Sequence, residues 1–366
     1  MTFLRKLALT TALVAGLSAP VAAEDIKFGL LQDFTAVYTF VTGQYNQGQQ
    51  DYLTLVNAEG GIDGNTVTAI VRDTGNQPQR GIEAYNRAKE EGAILFDFLS
   101  TPVSAAILDQ ASADKNVVIT PAHGRGDASD GTVFPYVFPM LPTYWAQAAS
   151  LIEHMKETGG LEGKKIAIVH IDSPFGREPG PILEALSEQE GFEFQAFPYA
   201  SPGNEQSAAW SEVRRYRPDY VLIWGAGGGQ AVSVRTAIQN GIAPEQIYSV
   251  IWLAETDAAN VGNSYYNLGV ATMAVAVEAA RLGLEGGQPL TGETLKAGFE
   301  KISGFDAEGL MPPVTYTAAD HQGGGAGRVS EWDGEKWLPV SEWKASYPDL
   351  IRSVIEKSAA DYKAGH

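Results

Sequence analysis

Short apolar runs alternate along the chain with amphipathic segments of helical period. Residues 26–33 form a mostly apolar run that ends in Asp33, and residues 44–59 place apolar side chains on one helical face before a Gly-Gly pair. Residues 93–99 form a largely apolar run without strict alternation, which is typical of a strand buried on both faces. This β-α-β alternation predicts a parallel, doubly wound sheet.

The same pattern begins again near the middle of the chain. Residues 164–176, KKIAIVHIDSPFG, read as a buried strand ending in an acidic turn that opens onto a helix. The sequence therefore predicts an α/β fold of two doubly wound parallel-sheet lobes joined by a hinge. Open α/β sheets bind ligands beyond the carboxyl ends of their strands, so a ligand cleft is expected between the lobes.

The predicted division places the first lobe at residues 24–142 and the second at 143–261. Residues 262–366 are predicted to return across the hinge and to complete the first lobe in part. This last region is expected to contain two helices, a β-hairpin over 314–340 with a glycine-rich tip at 323–327, and a closing helix over 347–362. Within the lobes, further strands are predicted at 67–72, 117–121, 193–199, 220–224 and 247–252, and helices at 80–91, 103–114, 180–190, 205–216 and 229–240.

Residues 1–23 have the composition of a cleaved secretory signal peptide. Arg5 and Lys6 precede an apolar stretch, and small residues occupy positions 21–23. A membrane anchor is the alternative, but the apolar stretch is too short to cross about 30 Å of hydrocarbon. We therefore expect a mature chain that begins near Glu24 and resides in the periplasm.

Composition narrows the classes of partner. The chain has no cysteine, so disulfides and thiolate metal sites are excluded. Loss of Arg5 and Lys6 with the signal changes the formal net charge from −18 to −20. A charge of this sign argues against nucleic acid and against anionic membrane surfaces as partners.

No enzyme motif is evident. The five histidines are scattered without metal-ligand spacing, and the nucleophile and metal motifs of secreted hydrolases are missing. We therefore predict no catalytic residue, no metal site and no cofactor.

The glycine run at 225–229 fails the full dinucleotide pattern, and is interpreted either as a helix N-terminus at the cleft or as a tight turn only. A secreted α/β hydrolase using His123 or Glu255 remains the enzymatic alternative.

Two kinds of side chain stand near predicted strand ends. Ser100, Thr101 and Ser104 offer hydroxyl groups at a strand-to-helix turn, where helix capping is the alternative interpretation. Four aromatic residues could line a pocket or pack in the core: Tyr38, Phe175, Trp224 and Trp252. The tripeptide at 125–127, Arg-Gly-Asp, is expected to form a local ion pair.

Several motifs in order along the mature chain resemble those of type I periplasmic solute-binding proteins, in particular the branched-chain amino-acid and amide binders of ABC importers. They are the QD turn at 32–33, NAEGGIDG at 57–64, the Ser/Thr-Pro turn at 100–102, the I-T-P turn at 119–121 and the V-H-x-D…FG restart at 169–176. After residues 252–257 the chain departs from the family pattern, because the usual further helix and strand are shortened or missing.

The resemblance implies a function without catalysis. A small polar solute (an amino acid, an amide or a small aromatic carboxylate) would be bound by hinge closure and delivered to a membrane permease with its ATPase. A monomer suits this architecture, and a ligand-sensing subunit for a membrane receptor is the alternative role.

The resemblance also implies a set of ligand-binding residues. Ser100, Thr101, Ser104 and the Ala122–His123 turn would hold a carboxylate or amide on the first lobe. The loop with Thr35 and Tyr38 would close one side. From the second lobe, Phe175 would cover the ligand and Glu255 would pair with an ammonium group, and Trp224 is added from its place at a strand end.

Overall fold

The computed structural model describes residues 25–253 and 264–365. The first half of the chain alternates strands and helices in the order β1 (Asp25–Gln32), α1 (Thr39–Ala58), β2 (Thr66–Asp73), α2 (Pro78–Glu90), β3 (Ala93–Asp97), α3 (Thr101–Ala105), α4 (Leu108–Ala113), β4 (Val117–Ile119) and β5 (Val137–Phe138). The second half begins with α5 (Tyr144–Gly159), β6 (Lys165–Ile171), α6 (Pro174–Arg177), α7 (Gly180–Glu190), β7 (Glu193–Tyr199), α8 (Ser207–Tyr216), β8 (Tyr220–Trp224), α9 (Gly227–Gln239) and β9 (Ile247–Ser249). The chain ends with α10 (Ser264–Leu284), α11 (Gly292–Phe299), β10 (Ser330–Trp332), β11 (Trp337–Pro339) and α12 (Pro348–Gly365).

The strands form two separate parallel sheets, as the alternation predicted. The first has the order β2-β1-β3-β4-β5 and the second the order β7-β6-β8-β9. In each sheet the first strand along the chain, β1 or β6, is an inner strand that pairs in parallel on both sides. We call the first sheet with its packed helices the first lobe and the second sheet with its packed helices the second lobe. The division of the chain at residues 142 and 261 stays a prediction.

The C-terminal helices pack on both lobes. Helix α10 lies against α1, and the two backbones approach so closely that a Cβ added at Gly48 would lie 2.2 Å from the Tyr266 carbonyl oxygen. A Cβ at Gly269 would lie 2.1 Å from the Tyr45 carbonyl oxygen, so glycine is required on both sides of this contact. Helix α10 is long and apolar enough to cross a membrane by length and composition, yet most of its apolar face is buried against α1 and α11.

Helix α12 touches both lobes. Ile351 and Ile355 pack into the core around the second sheet, while Ala359 packs into a core of the first sheet. The Tyr362 hydroxyl donates to Asp109 in α4 at 2.6 Å. One helix therefore holds the outer faces of the two lobes.

Several predicted elements differ from the observed ones. Helix α1 begins at Thr39, five residues before its predicted start at residue 44. The helix expected over 103–114 is two short helices, α3 and α4, and the strand expected over 247–252 ends at Ser249 and continues as a 3-10 turn. The hairpin expected over 314–340 is wrong in extent: it is the short pair β10–β11, and its turn is closed by Asp333, whose carboxylate accepts from the Lys336 backbone N–H at 2.8 Å. The glycines predicted for its tip instead pack inward, because a Cβ at Gly323 would lie 2.8 Å from the Tyr316 ring.

Candidate functional site

The loop after β1 is built on one buried carboxylate. Asp33 is fully buried, and its Oδ1 accepts from the backbone N–H groups of Thr35 (3.2 Å) and Ala36 (2.7 Å). Its Oδ2 accepts from the Tyr38 N–H at 2.9 Å. This cradle turns the Tyr38 ring inward, where burial and the Asp33 charge raise the pKa of its hydroxyl. Thr35 differs: it is exposed, and its hydroxyl donates to Asp73 Oδ2 at 2.8 Å.

The hydroxyl-bearing turn after β3 opens helix α3. Ser100 caps the helix by accepting from the Val103 N–H, and its hydroxyl donates to Asn76 Oδ1 at 2.7 Å. The capping interpretation is therefore confirmed for Ser100. Ser104 donates back to the Thr101 carbonyl oxygen at 3.2 Å. All three hydroxyl residues of the turn are buried at the carboxyl edge of the first sheet.

The turn after β4 carries the imidazole of His123. His123 is 2 % exposed, and among the described residues neither of its ring nitrogens makes a hydrogen bond. Its Nε2 lies 3.8 Å from Asp97 Oδ1. The adjacent Gly124 N–H donates to the Thr101 hydroxyl at 3.2 Å, so the turns after β3 and β4 are tied together.

Asp97, the last residue of β3, collects donors from two elements beside it. Its Oδ2 accepts from Gln32 Nε2 (3.0 Å), from the Tyr45 hydroxyl (2.7 Å) and from Gln49 Nε2 (2.7 Å). Its Oδ1 accepts from the Leu99 N–H at 3.0 Å. A fully buried carboxylate with four donors is well satisfied, and it fixes the floor beneath the turns.

Left-handed backbone follows three neighbouring strands of the first sheet. Leu99, Ala122 and Leu141 come after β3, β4 and β5, and have φ of 43°, 56° and 67°. Such a conformation costs a residue with a Cβ about 1–2 kcal/mol. Strained backbone of this kind is common at binding sites in proteins, and these three positions lie at the edge where the predicted ligand-binding residues stand.

The second lobe contributes aromatic rings to the same space. Phe175 in α6 and Trp224 at the end of β8 are both fully buried. Tyr144, at the start of α5, joins them: its ring centroid lies 5.1 Å from that of Phe175 and 5.6 Å from that of Trp224. Burial raises the pKa of the Tyr144 hydroxyl, which accepts from Trp252 Nε1 at 2.9 Å. Trp252 is therefore buried and packs in the core, which was one of the two roles that the sequence left open for it.

Residues of the two lobes are in direct contact with each other. The Tyr38 ring meets Phe175 edge-on, with centroids 6.4 Å apart and planes at 76°. A Cβ added at Gly227, the first residue of α9, would lie 3.4 Å from Phe40 and from the Val37 carbonyl oxygen. The structure brings Tyr38, Phe175 and Trp224 into one aromatic cluster through Tyr144.

A polar contact between the lobes lies beside this cluster. The Gly126 N–H donates to Glu178 Oε1 at 2.7 Å, and Trp145 Nε1 donates to the Glu178 carbonyl oxygen at 2.9 Å. Burial raises the pKa of the Glu178 carboxyl to about 8, and the nearby Asp127 charge adds to the rise. Arg125 pairs with Asp127 at 2.5 Å, which confirms the local ion pair expected at 125–127.

Glu255 lies outside the described residues, and so does the departure from the family pattern after Trp252. Among residues 25–253 and 264–365, no group of His, Asp and Glu is arranged to hold a metal ion. The sequence reasoning missed Tyr144, Asp97 and Glu178. A signal existed for Asp97 alone, as the one charged residue in an otherwise apolar strand.

Comparisons with known proteins agree with this geometry. A family model described as periplasmic binding protein matches residues 25–266. The Leu/Ile/Val-binding protein BraC3 of Rhizobium johnstonii is 25% identical over 322 residues, which cover 82% of this chain and 87% of that protein.

Two solved structures share the fold over nearly the whole chain. One, from the Pseudomonas fluorescens group and described as an ABC transporter permease, is 33% identical with a TM-score of 0.82, covering 93% of this chain and 97% of that one. The other is a branched-chain amino acid ABC transporter protein from Thermus thermophilus with bound valine, 19% identical with a TM-score of 0.78, covering 91% of this chain and 99% of that one.

Proposed function

We propose that this chain, which belongs to the type I periplasmic binding protein family, is the substrate-binding component of an ABC importer. It binds a small polar solute between its lobes and delivers it to a membrane permease with its ATPase. The family consists of substrate-binding proteins, and we infer that the chain makes and breaks no bond in its ligand. The composition of residues 1–23 supports export, with a mature monomer that begins near Glu24 in the periplasm.

One observation carries the proposal: side chains from the carboxyl ends of both sheets meet in one buried cluster. Tyr38 comes from the loop after β1, Phe175 from the turn after β6 and Trp224 from the end of β8. Ligands of open α/β sheets bind at this edge. A cluster assembled from both lobes can be separated only if the lobes move apart, which couples access to lobe movement.

Hinge closure follows from this arrangement. A ligand that contacts both lobes stabilises the closed form more than the open form, and the population shifts by that difference in affinity. The permease would then recognise the closed form. This mechanism needs no cofactor and no chemistry at the ligand.

The proposed ligand-binding residues divide by lobe. Ser100, Thr101, Ser104, Ala122 and His123 supply hydroxyl, backbone and imidazole groups from the first lobe. The loop residues Thr35 and Tyr38 close one side of the cleft. Phe175, Trp224 and Glu255 are proposed from the second lobe.

The test begins with the ligand itself. Mature protein made in its native host is purified without unfolding, and the bound small molecule is released and identified by mass spectrometry. We expect one or a few small carboxylates, amides or amino acids that raise the melting temperature when added back. Deletion of the gene should abolish uptake of that solute. Conversion of the ligand during prolonged incubation would identify an enzyme instead, and normal uptake with loss of a transcriptional or behavioural response would identify a sensor.

A further inference from the structure

At the carboxyl ends of the two sheets, two buried side chains carry hydrogen-bonding groups that the described residues do not satisfy. Trp224 is fully buried, and among the described residues its Nε1–H has no acceptor. Neither ring nitrogen of His123 makes a hydrogen bond in the described part of the chain, and the distance of 3.8 Å from its Nε2 to Asp97 Oδ1 is too long for one. A buried donor without an acceptor destabilises the protein, so these groups point to a ligand that supplies acceptors.

The carboxylates at the same strand ends are, by contrast, already occupied. Asp33 accepts from three backbone N–H groups, and Asp97 accepts from four donors. Asp172, after β6, pairs with Arg177. Within residues 25–253 and 264–365, these three carboxylates therefore leave little capacity for the ammonium group of an amino acid.

The walls are aromatic. Tyr38, Tyr144, Phe175 and Trp224 are each at most 9% exposed, and their rings meet edge-on or tilted. Aromatic rings favour such offset or edge-to-face partners, so a planar ring inserted among them would replace one aromatic contact with another. An aliphatic ligand cannot make these edge-to-face aromatic contacts.

From the unsatisfied donors and the aromatic walls together, we propose that the ligand is a small aromatic acid with a second oxygen on its ring. Its carboxylate accepts from His123 at the first lobe, and its ring oxygen accepts from Trp224 Nε1–H at the second lobe. His123 and Trp224 then determine specificity at opposite ends of one planar molecule. This proposal rests on the proposed function, because it concerns the ligand of the same cleft.

The test is titration calorimetry on mature protein freed of its bound ligand, with 4-hydroxybenzoate, benzoate and leucine as probes. We expect 4-hydroxybenzoate to bind more tightly than benzoate, and leucine to bind at least tenfold more weakly than either. Trp224→Phe keeps the ring and removes the N–H, so it should lower affinity for 4-hydroxybenzoate about tenfold and leave benzoate almost unchanged. His123→Ala should weaken both aromatic acids about tenfold or more, and His123→Gln, which retains an N–H donor, should recover part of the loss.

Trp210→Phe is the matched control. Trp210 is also buried in the second lobe, but its Nε1 donates to Gln206 at 3.0 Å, so its loss should lower stability without changing the ratio of the two aromatic acids. Leucine binding as tightly as the aromatic acids, no heat with either aromatic acid, or an unchanged ratio in Trp224→Phe would overturn the ligand class. Uptake of another solute in the deletion experiment would leave the importer function standing, and so separates the two proposals.

Discussion

The two lobes contribute to the cleft in different ways. At the first lobe, polar groups are held by other parts of the same lobe: Asp97 is fixed by four donors and Asp33 by three backbone N–H groups. At the second lobe, Phe175 and Trp224 present fully buried aromatic surface. Hydrogen bonds are directional, whereas apolar contact is not. The first lobe is therefore suited to orient a ligand, and the second to cover it on closure.

The difference has a consequence for stability. A polar network whose hydrogen bonds are all made holds each side chain in one position. Removal of one member leaves buried donors or acceptors unpaired and lowers stability strongly. Aromatic surface tolerates small displacements, as a moving lobe requires. Substitutions at the first lobe should therefore act on folding, and substitutions at the second should act on closure.

Asp97→Ala should give the largest effect. The substitution leaves Gln49 Nε2 without an acceptor and leaves the Tyr45 hydroxyl only a 3.4 Å contact with Thr272, while Gln32 Nε2 keeps Gln49 Oε1 as an acceptor. We expect the free energy of unfolding to fall by about 3–5 kcal/mol. Urea unfolding followed by tryptophan fluorescence measures it. Glu356→Ala, which breaks only an exposed pair with Arg352, is the control and should change stability by less than about 0.5 kcal/mol. Equal effects of the two variants would show that the network does not support the first lobe.

Gly227→Ala tests closure from the second lobe. Gly227 has a φ of 58°, and an added Cβ would contact Phe40 and the Val37 carbonyl oxygen of the other lobe. We expect a stability loss of about 1–2 kcal/mol from the backbone strain, measured by urea unfolding. The radius of gyration in small-angle X-ray scattering should stay unchanged, because contacts at 3.4 Å are ordinary van der Waals contacts. Gly228→Ala is the matched control, because no atom lies within 4 Å of the added Cβ and its backbone is unstrained. A larger radius of gyration in Gly227→Ala than in Gly228→Ala would show instead that this contact limits closure.

The local pattern of apolar and polar residues predicted helices and strands well where particular residues define their ends. Helix Gly180–Glu190 and strand Tyr220–Trp224 match their predicted ranges, because a helix-ending Gly191 and a continuous apolar run define them. The hairpin was misplaced because a glycine run was taken as a turn, whereas Gly323 packs on Tyr316 and the true turn is at Asp333.

Of the residues in the candidate site, the sequence predicted only those that stand at the ends of predicted strands. Strand-end position identified Tyr38, Phe175 and Trp224, which the structure brings together. The donors of Asp97 come from β1 and α1, far away along the chain, and no local spacing shows that they converge. The contact of Glu178 with Gly126 joins the two lobes and is equally invisible to periodicity.

The Glu178 contact predicts a pH dependence. In the native protein the pKa of its carboxyl is about 8, above the ordinary value of 4.5 that applies when the chain unfolds or the lobes separate. Below pH 4.5 the group is protonated in both states and carries no penalty. As pH rises from 4.5 to 8, the unfolded or open state ionises first, so the native closed state loses stability across this window.

Glu178→Gln removes the ionisation and keeps an oxygen acceptor for the Gly126 N–H. The difference in unfolding free energy between variant and wild type should grow in the variant's favour by about 1 kcal/mol between pH 5 and pH 8. The full linkage limit is larger, about 1.36 kcal/mol per pKa unit, but opening of the lobes lets the carboxyl reach water. Urea unfolding at the two pH values measures it, and a difference that stays constant with pH would refute the role of Glu178.

The smallest expected effect is the most direct test that the two lobes meet in solution. The Tyr38–Phe175 edge-on pair joins a loop of the first lobe to a helix of the second, and such pairs contribute about 0.5–1.5 kcal/mol beyond their buried area. A double-mutant cycle with Tyr38→Leu and Phe175→Leu should therefore give a coupling energy of about 0.5–1 kcal/mol in urea unfolding. A second cycle on Tyr220 and Tyr248, which contact each other on adjacent strands of the second sheet, sets the value for a pair that closure cannot separate. Coupling near zero for Tyr38 and Phe175, beside normal coupling for the second pair, would mean that the lobes stand apart without ligand and that the aromatic cluster forms only on binding.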